Sequence, residues 1–182
     1  GDSMLAAQAL ATWRHKAPGV SWWRVGVVSQ WAAINKPMYS TNQSTGGGSV
    51  YSDEQIIKPT DTGFRRFSYT GKEEFIPFTG AWGWTSYYKA TETRTSKAVA
   101  RWTPTIKESG RHEIAVFVPT RHATTLNARF KLHGVRGTSA ETIIPVDQSR
   151  FRDQWVTLGV FDIDKNLANA GSIFLNDLTG ES

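Results

Sequence analysis

"KAVARWTP" (residues 97–104) and "HEIAVFVP" (residues 112–119) carry the pattern that decides the fold. In the first, Ala98, Ala100 and Trp102 share one side of an extended chain, and Val99, Arg101 and Thr103 share the other. In the second, Ile114, Val116 and Val118 oppose Ala115, Phe117 and Pro119. A period of two residues belongs to a strand, because successive Cβ atoms point to opposite faces. Comparable runs lie on either side: "FRRFSYTG" (64–71), "EEFIPF" (73–78), "NARFKLHG" (127–134), "ETIIPVDQ" (141–148), "WVTLGVFDI" (155–163) and "GSIFLND" (171–177). Gly, Pro and Asn/Asp turn signals separate them. Short strands in such succession predict a mainly β chain, an antiparallel β-sandwich of jelly-roll-like type. No helical pattern intervenes between them, which argues against a parallel α/β sheet.

The first third reads differently. "SMLAAQALATWRHK" (3–16) predicts a helix: Ser3 caps it, Ala and Leu fill it, Arg14, His15 and Lys16 suit its C-terminal dipole, and Pro18-Gly19 ends it. "VSWWRVGVVSQWAAI" (20–34) mixes helical spacing with β-branched residues and is read as helix. "STNQSTGGGS" (40–49) is too polar and glycine-rich to pack. The expected organisation is a short helical N-terminal extension (1–39), a flexible linker (40–56) and a sandwich domain (57–182).

The 182 residues suffice for one core without staples, and with no cysteine neither a disulfide framework nor thiolate chemistry is available. The net charge of +5 is dispersed, not gathered into the stripe of a nucleic-acid binder, so no nucleic-acid partner is expected. No run approaches the roughly 18 apolar residues of a membrane span, and no signal-peptide pattern opens the chain. The abrupt start at Gly1 suggests a piece of a longer protein.

The ordered series "FTGAWG", "ARWTPTI", "GRHEIAVFVP", "ARFKLHG", "IIPVDQ", "QWVTLGVFDI" and "GSIFLND" resembles the golvesin C-terminal-like domain, also described as the xanthan-lyase carbohydrate-binding-like family. The resemblance spans about residues 57–182. Its landmarks are Gly80 and Trp82, Trp102 and Pro104, Gly110 and Pro119, His133 and Gly134, Asp147 and Gln148, and Trp155 with Leu158 and Gly159. It implies a β-sandwich attached to bacterial surface or secreted proteins, extracellular or at the cell wall. The implied role is a non-catalytic accessory module for a polysaccharide or cell-wall glycan. Two departures stand out: His112 where a tyrosine is usual, and a basic loop, "QSRFRDQ" (148–154).

Candidate ligand residues follow from side-chain chemistry. In "FTGAWGWTSYYKA" (78–90), Trp82 and Trp84 would share a face if the stretch were extended, while Tyr87 and Tyr88 point to opposite faces. Indole and phenol rings suit both the C–H face of a sugar and a core edge. Trp82, Trp102 and Trp155 are expected in the core, and Trp84, Tyr87 and Tyr88 at a stacking surface. His133, Asp147 and Gln148 offer directional hydrogen bonds to hydroxyls, or else fix turns. Arg150 and Arg152 would meet acidic groups.

Catalysis is not expected. "GDSM" (1–4) lacks the preceding strand of a nucleophile turn, and no histidine has an aspartate three residues before it. Spacing singles out no pair among Glu73, Glu74, Glu113, Asp147 and Asp153 for glycosidase work. No cofactor is expected beyond a structural calcium at Asp162, Asp164 and Asn166, where "DIDKN" opens like a calcium loop but lacks its glycine and closing glutamate. The competing role is a structural or assembly module, docking a neighbouring domain or protomer through residues 3–34.

Overall fold

A computed structural model describes residues 4–7, 11–15 and 54–181. Those residues form twelve strands and two single-turn 3₁₀ helices. The strands are β1 (Met4–Ala7), β2 (Ala11–His15), β3 (Glu54–Ile57), β4 (Phe64–Ser68), β5 (Ile76–Thr79) and β6 (Thr85–Ala90), then β7 (Ala98–Trp102), β8 (Gly110–Val118), β9 (Ala128–Leu132), β10 (Thr142–Val146), β11 (Gln154–Ile163) and β12 (Ile173–Asn176). They build a five-stranded sheet in the order β10-β9-β12-β7-β4, a four-stranded sheet β11-β8-β2-β3, and a small sheet β1-β6-β5. Every strand pairing is antiparallel.

The two larger sheets enclose the core. Ala98, Ala100 and Trp102 of β7 meet Ile114 and Val116 of β8, with Phe130, Leu132, Ile173 and Leu175 filling the interior. These are the inward sets that the alternation predicts, and Trp102 is buried among them. β8 is also covered on its outer face. There Ala115 and Phe117 form a second cluster with Trp155, against which Ile56, Ala81 and Trp84 pack. Trp155 is therefore buried, but outside the inter-sheet core.

β11 breaks its own alternation. A register shift between Thr157 and Gly159 lets Val156 and Leu158 face inward before it, and Phe161 and Ile163 after it. Gly159 has φ +151, and a Cβ there would meet the Phe161 ring at 2.9 Å, so the bulge needs glycine. Gly134, at φ +83, lies against Ala170, whose Cα is 2.5 Å from where a Cβ would stand.

The N-terminal expectation is corrected within the described residues. Met4–Ala7 and Ala11–His15 are strands and not the first turns of a helix. β2 lies between β8 and β3, with Trp13 opposite Ile114 on one side and Gln55 on the other. Hydrogen bonding on both edges overrides the weak helical preference of alanine and leucine. Residues 54–56, expected in the linker, begin β3. The stretches 20–34 and 40–49 lie outside the described residues.

One polar anchor ties β6 to the sandwich. Asp177 accepts hydrogen bonds from Ser96 Oγ (2.8 Å) and from the amides of Lys97 (3.0 Å) and Ala98 (3.4 Å). Lys89 of β6 reaches Glu92 (3.0 Å), Asp177 (3.4 Å) and Glu74 (3.5 Å).

Candidate functional site: a groove walled by Trp84

Ala81–Gly83 form a 3₁₀ turn instead of an extended segment. Gly83, at φ +75, lets the chain reverse before β6. The turn is closed by the Trp84 amide on the Ala81 carbonyl (3.2 Å) and the Gly80 amide on the Trp84 carbonyl (2.8 Å). Trp82 and Trp84 therefore do not alternate along one strand, and the side chain of Trp82 lies outside the described residues. Trp84 is half-buried against the Ala115, Phe117 and Trp155 cluster.

Beside it is a groove of about 250 Å³, lined by Lys58, Pro59, Thr60, Gly83, Trp84 and Thr85. Its opposite wall is a turn held by Asp61, which accepts from the Lys58 amide at 2.7 Å and donates its own amide to the Lys58 carbonyl at 3.0 Å. The Lys58 ammonium stands 5.3 Å from the centre of the Trp84 ring. An indole, an ammonium and the hydroxyls of two exposed threonines thus share one concavity, a set that offers stacking, charge and hydrogen bonds together.

The other expected ligand residues are placed elsewhere, in several separate settings. Tyr87 turns inward, stacked near Phe64 (6.2 Å) with the Arg66 guanidinium 3.7 Å from its ring centre. Tyr88 occupies the opposite face of β6 and lies flat on His122, centroids 3.9 Å apart and planes 7° apart, with Phe78 edge-on to both. Trp84, Tyr87 and Tyr88 therefore do not make one platform. His122 has φ +62, and burial, then the charge of Arg121, hold its pKa below the usual imidazole value.

His133 and Asp147 are at opposite ends of the β9–β10 hairpin. Leu132 pairs with Thr142 and Ala128 with Val146, so the two residues follow different ends of a ladder roughly 14–17 Å long. His133 lies 3.5 Å from Glu141 and against the Phe174 ring. Asp147 caps the 3₁₀ turn Gln148–Arg150, accepting from Ser149 N (3.1 Å) and Oγ (2.5 Å). Gln148 is buried, with its amide on the Thr125 carbonyl. Arg152 folds back onto the carbonyls of Ser149 (2.7 Å) and Phe151 (2.8 Å), whereas Arg150 is exposed. Asp147 and Arg152 thus both bond within this turn.

The carboxylates weighed for acid–base work have separate partners: Glu73 with Arg66, Glu74 with Lys89, Glu113 with Thr157, and Asp153 with the Thr120 amide. Asp162 and Asp164 both pair with Arg136, at 3.1 and 3.5 Å, and the Asn166 amide donates to Asp164. Asp162 and Asp164 thus share one guanidinium. Among the described residues no cluster of three or more His, Asp or Glu is arranged to hold a metal ion.

The golvesin C-terminal domain family matches residues 67–181. The chain belongs to this family. No curated protein and no solved structure matches it. Within this golvesin domain the Gly83–Thr85 wall of the groove lies inside the matched span, and the Lys58–Thr60 wall lies outside it. The Lys58 wall escaped the sequence reading because "KPTDTG" (58–63) has the composition of any turn. Only the strand pairing brings it to Trp84. No helix among the described residues is long and apolar enough to cross a membrane.

Proposed function

We propose that this golvesin domain is a non-catalytic accessory module, within a larger bacterial surface or secreted protein, that binds a cell-wall or extracellular glycan. One observation carries the reading: a half-buried indole, backed by a hydrophobic cluster, walls a groove that also holds an ammonium and two hydroxyls. The backing fixes the ring, so little freedom is lost when a sugar stacks on it. Lys58 favours a sugar bearing an acidic group near the stacked ring.

The competing assembly role through residues 3–34 draws less support. β2 is paired on both edges within the chain, so of the described strands in that segment only β1, at the edge of the small sheet, keeps an open backbone edge.

Retention on insoluble peptidoglycan and on a panel of neutral and acidic polysaccharides tests the proposal. Trp84→Ala is expected to weaken retention by about 2 kcal/mol, roughly 30-fold, while the fold melts as a unit. Wild-type affinity carried undiminished by Trp84→Ala removes the groove from the binding site. Absence of retention on every polymer, with concentration-dependent size in solution, points instead to assembly.

A further inference from the structure

The outer face of the five-stranded sheet carries a set of basic side chains, of which Lys131 has a carboxylate partner and Arg65 donates to the Phe64 carbonyl at 3.2 Å. Cross-strand register places Ile143, Lys131, Phe174, Arg101 and Arg65 in one row across β10, β9, β12, β7 and β4. The inner neighbours of these residues, among them Leu132, Ala100 and Phe64, fill the core, so alternation turns this row outward. Arg129 stands two residues along from Lys131 on the same face.

Arg65 and Arg101 are direct cross-strand partners. Like charges in that relation destabilise a sheet. Neither makes an ion pair among the described residues, and nor does Arg129; Lys131 pairs with Glu141 at 3.2 Å. Arg101 is held by rings instead of an acid, 5.2 Å from the centre of Phe67 and 5.7 Å from that of Phe174. Its Nε is buried with no acceptor. Phe67 keeps 42% of its surface exposed and Ile143 41%.

We infer that this face binds a linear polyuronate, a polysaccharide bearing one carboxylate per acidic sugar, with Arg65, Arg101 and Arg129 pairing with successive carboxylates. The inference rests on the glycan reading above and names the polymer class. From Lys131 to Arg65 the face crosses four strands, roughly 14 Å, enough for more than one charged sugar. A planar guanidinium matches a carboxylate through two parallel N–H bonds. A second copy of the chain, at net +5, would bring like charge to this face, and residues 16–53 carry three basic side chains against one acidic. Neither complements it. Nucleic acid is the weaker fit, because base stacking wants open ring faces and the rings of Phe67 and Phe174 already hold a guanidinium.

The test measures binding of the full chain to polygalacturonate, dextran and single-stranded DNA across a salt series. Arg65→Gln/Arg129→Gln is expected to lower polygalacturonate affinity at least about tenfold at low salt and to flatten the salt dependence. Arg101→Lys, which keeps the charge but not the fork, loses part of the affinity. Trp84→Ala keeps the salt slope. Arg65→Gln also leaves the melting temperature equal or higher, since a like-charge pair is relieved. Unchanged affinity in the double variant overturns this face and leaves the groove standing. DNA bound as tightly as polygalacturonate, through the same arginines, overturns the polyuronate assignment. Failure of the wild type to bind any polymer overturns both.

Discussion

The Lys89 ammonium lies 3.4 Å from a carboxylate of Asp177 that has no exposed surface. The aspartate spends its remaining hydrogen-bonding capacity on the chain between β6 and β7, so one buried acid joins a side-chain charge to a backbone turn. Asp177→Ala removes the acceptor from these donors at once and is expected to cost about 3–5 kcal/mol. Asp177→Asn keeps an acceptor for the Lys97 amide and should cost less. Urea unfolding followed by tryptophan fluorescence ranks the two.

The same network sets an acid limit. Glu92 is held below the usual carboxylate range by its hydrogen bond to Lys97, against burial and with help from Lys89. Glu74 is lowered first by the Thr70 hydroxyl, and Asp164 by the Asn166 amide. A carboxylate whose folded pKa lies below its unfolded value stabilises the fold above the unfolded value, and that contribution is lost as pH falls through the folded one. Stability should therefore decline as pH drops below about 4. Burial pulls Lys89 down, but its hydrogen bond to Glu92 and the charge of Asp177 outweigh it, so its net shift is upward. Its contribution persists below about pH 10 and fades above. Melting temperatures from pH 3 to 11 should trace a plateau with these two shoulders.

His122, stacked on Tyr88, should titrate below the ordinary imidazole range in an NMR titration of its ring protons. Arg121→Gln removes one of the two causes and should move that pKa up without abolishing the burial effect. As the folded pKa is the lower, protonating His122 costs stability on the acid side.

Two glycines at similar φ separate backbone strain from crowding. Gly71, at φ +76, has open space where a Cβ would stand, and Gly71→Ala should cost about 1–2 kcal/mol. Gly134→Ala adds a 2.5 Å approach to Ala170 Cα and should cost clearly more. Chemical denaturation of the two variants side by side gives the difference.

The strands from β4 onward, β6 excepted, were legible because burial on one face imposes a period of two, as in Ala98, Ala100 and Trp102. Gly159 marks where that reading fails locally: a bulge changes which parity faces inward, and only the partner strand shows it. β1 and β2 were illegible for a different reason. Alanine and leucine at 5–10 favour helix when considered alone, and the opposing pairing comes from distant strands, β6 for β1 and β8 for β2. The site was legible in part. Trp84 stands out by chemistry, but its partners Lys58 and Thr60 meet it only through tertiary contact. Asp147 and His133, near in sequence pattern, are parted by the hairpin register. The outward cations of "ARFKL" follow from the same alternation that sets the core.

The insertion of β2 beside β8 bears on where this domain begins as a folding unit. A chain cut at residue 67, the start of the family match, would lack β1, β2 and β3 and part of β4. β8 would then lose its pairing with β2 over His112–Val116 and present that edge unpaired, with Ile56 gone from the outer cluster of Ala115, Phe117 and Trp155. Such an edge recruits other chains into aggregates. The boundary shared by relatives is thus narrower than the boundary of cooperative folding, and the N-terminal residues act as a built-in edge guard that travels with the sandwich.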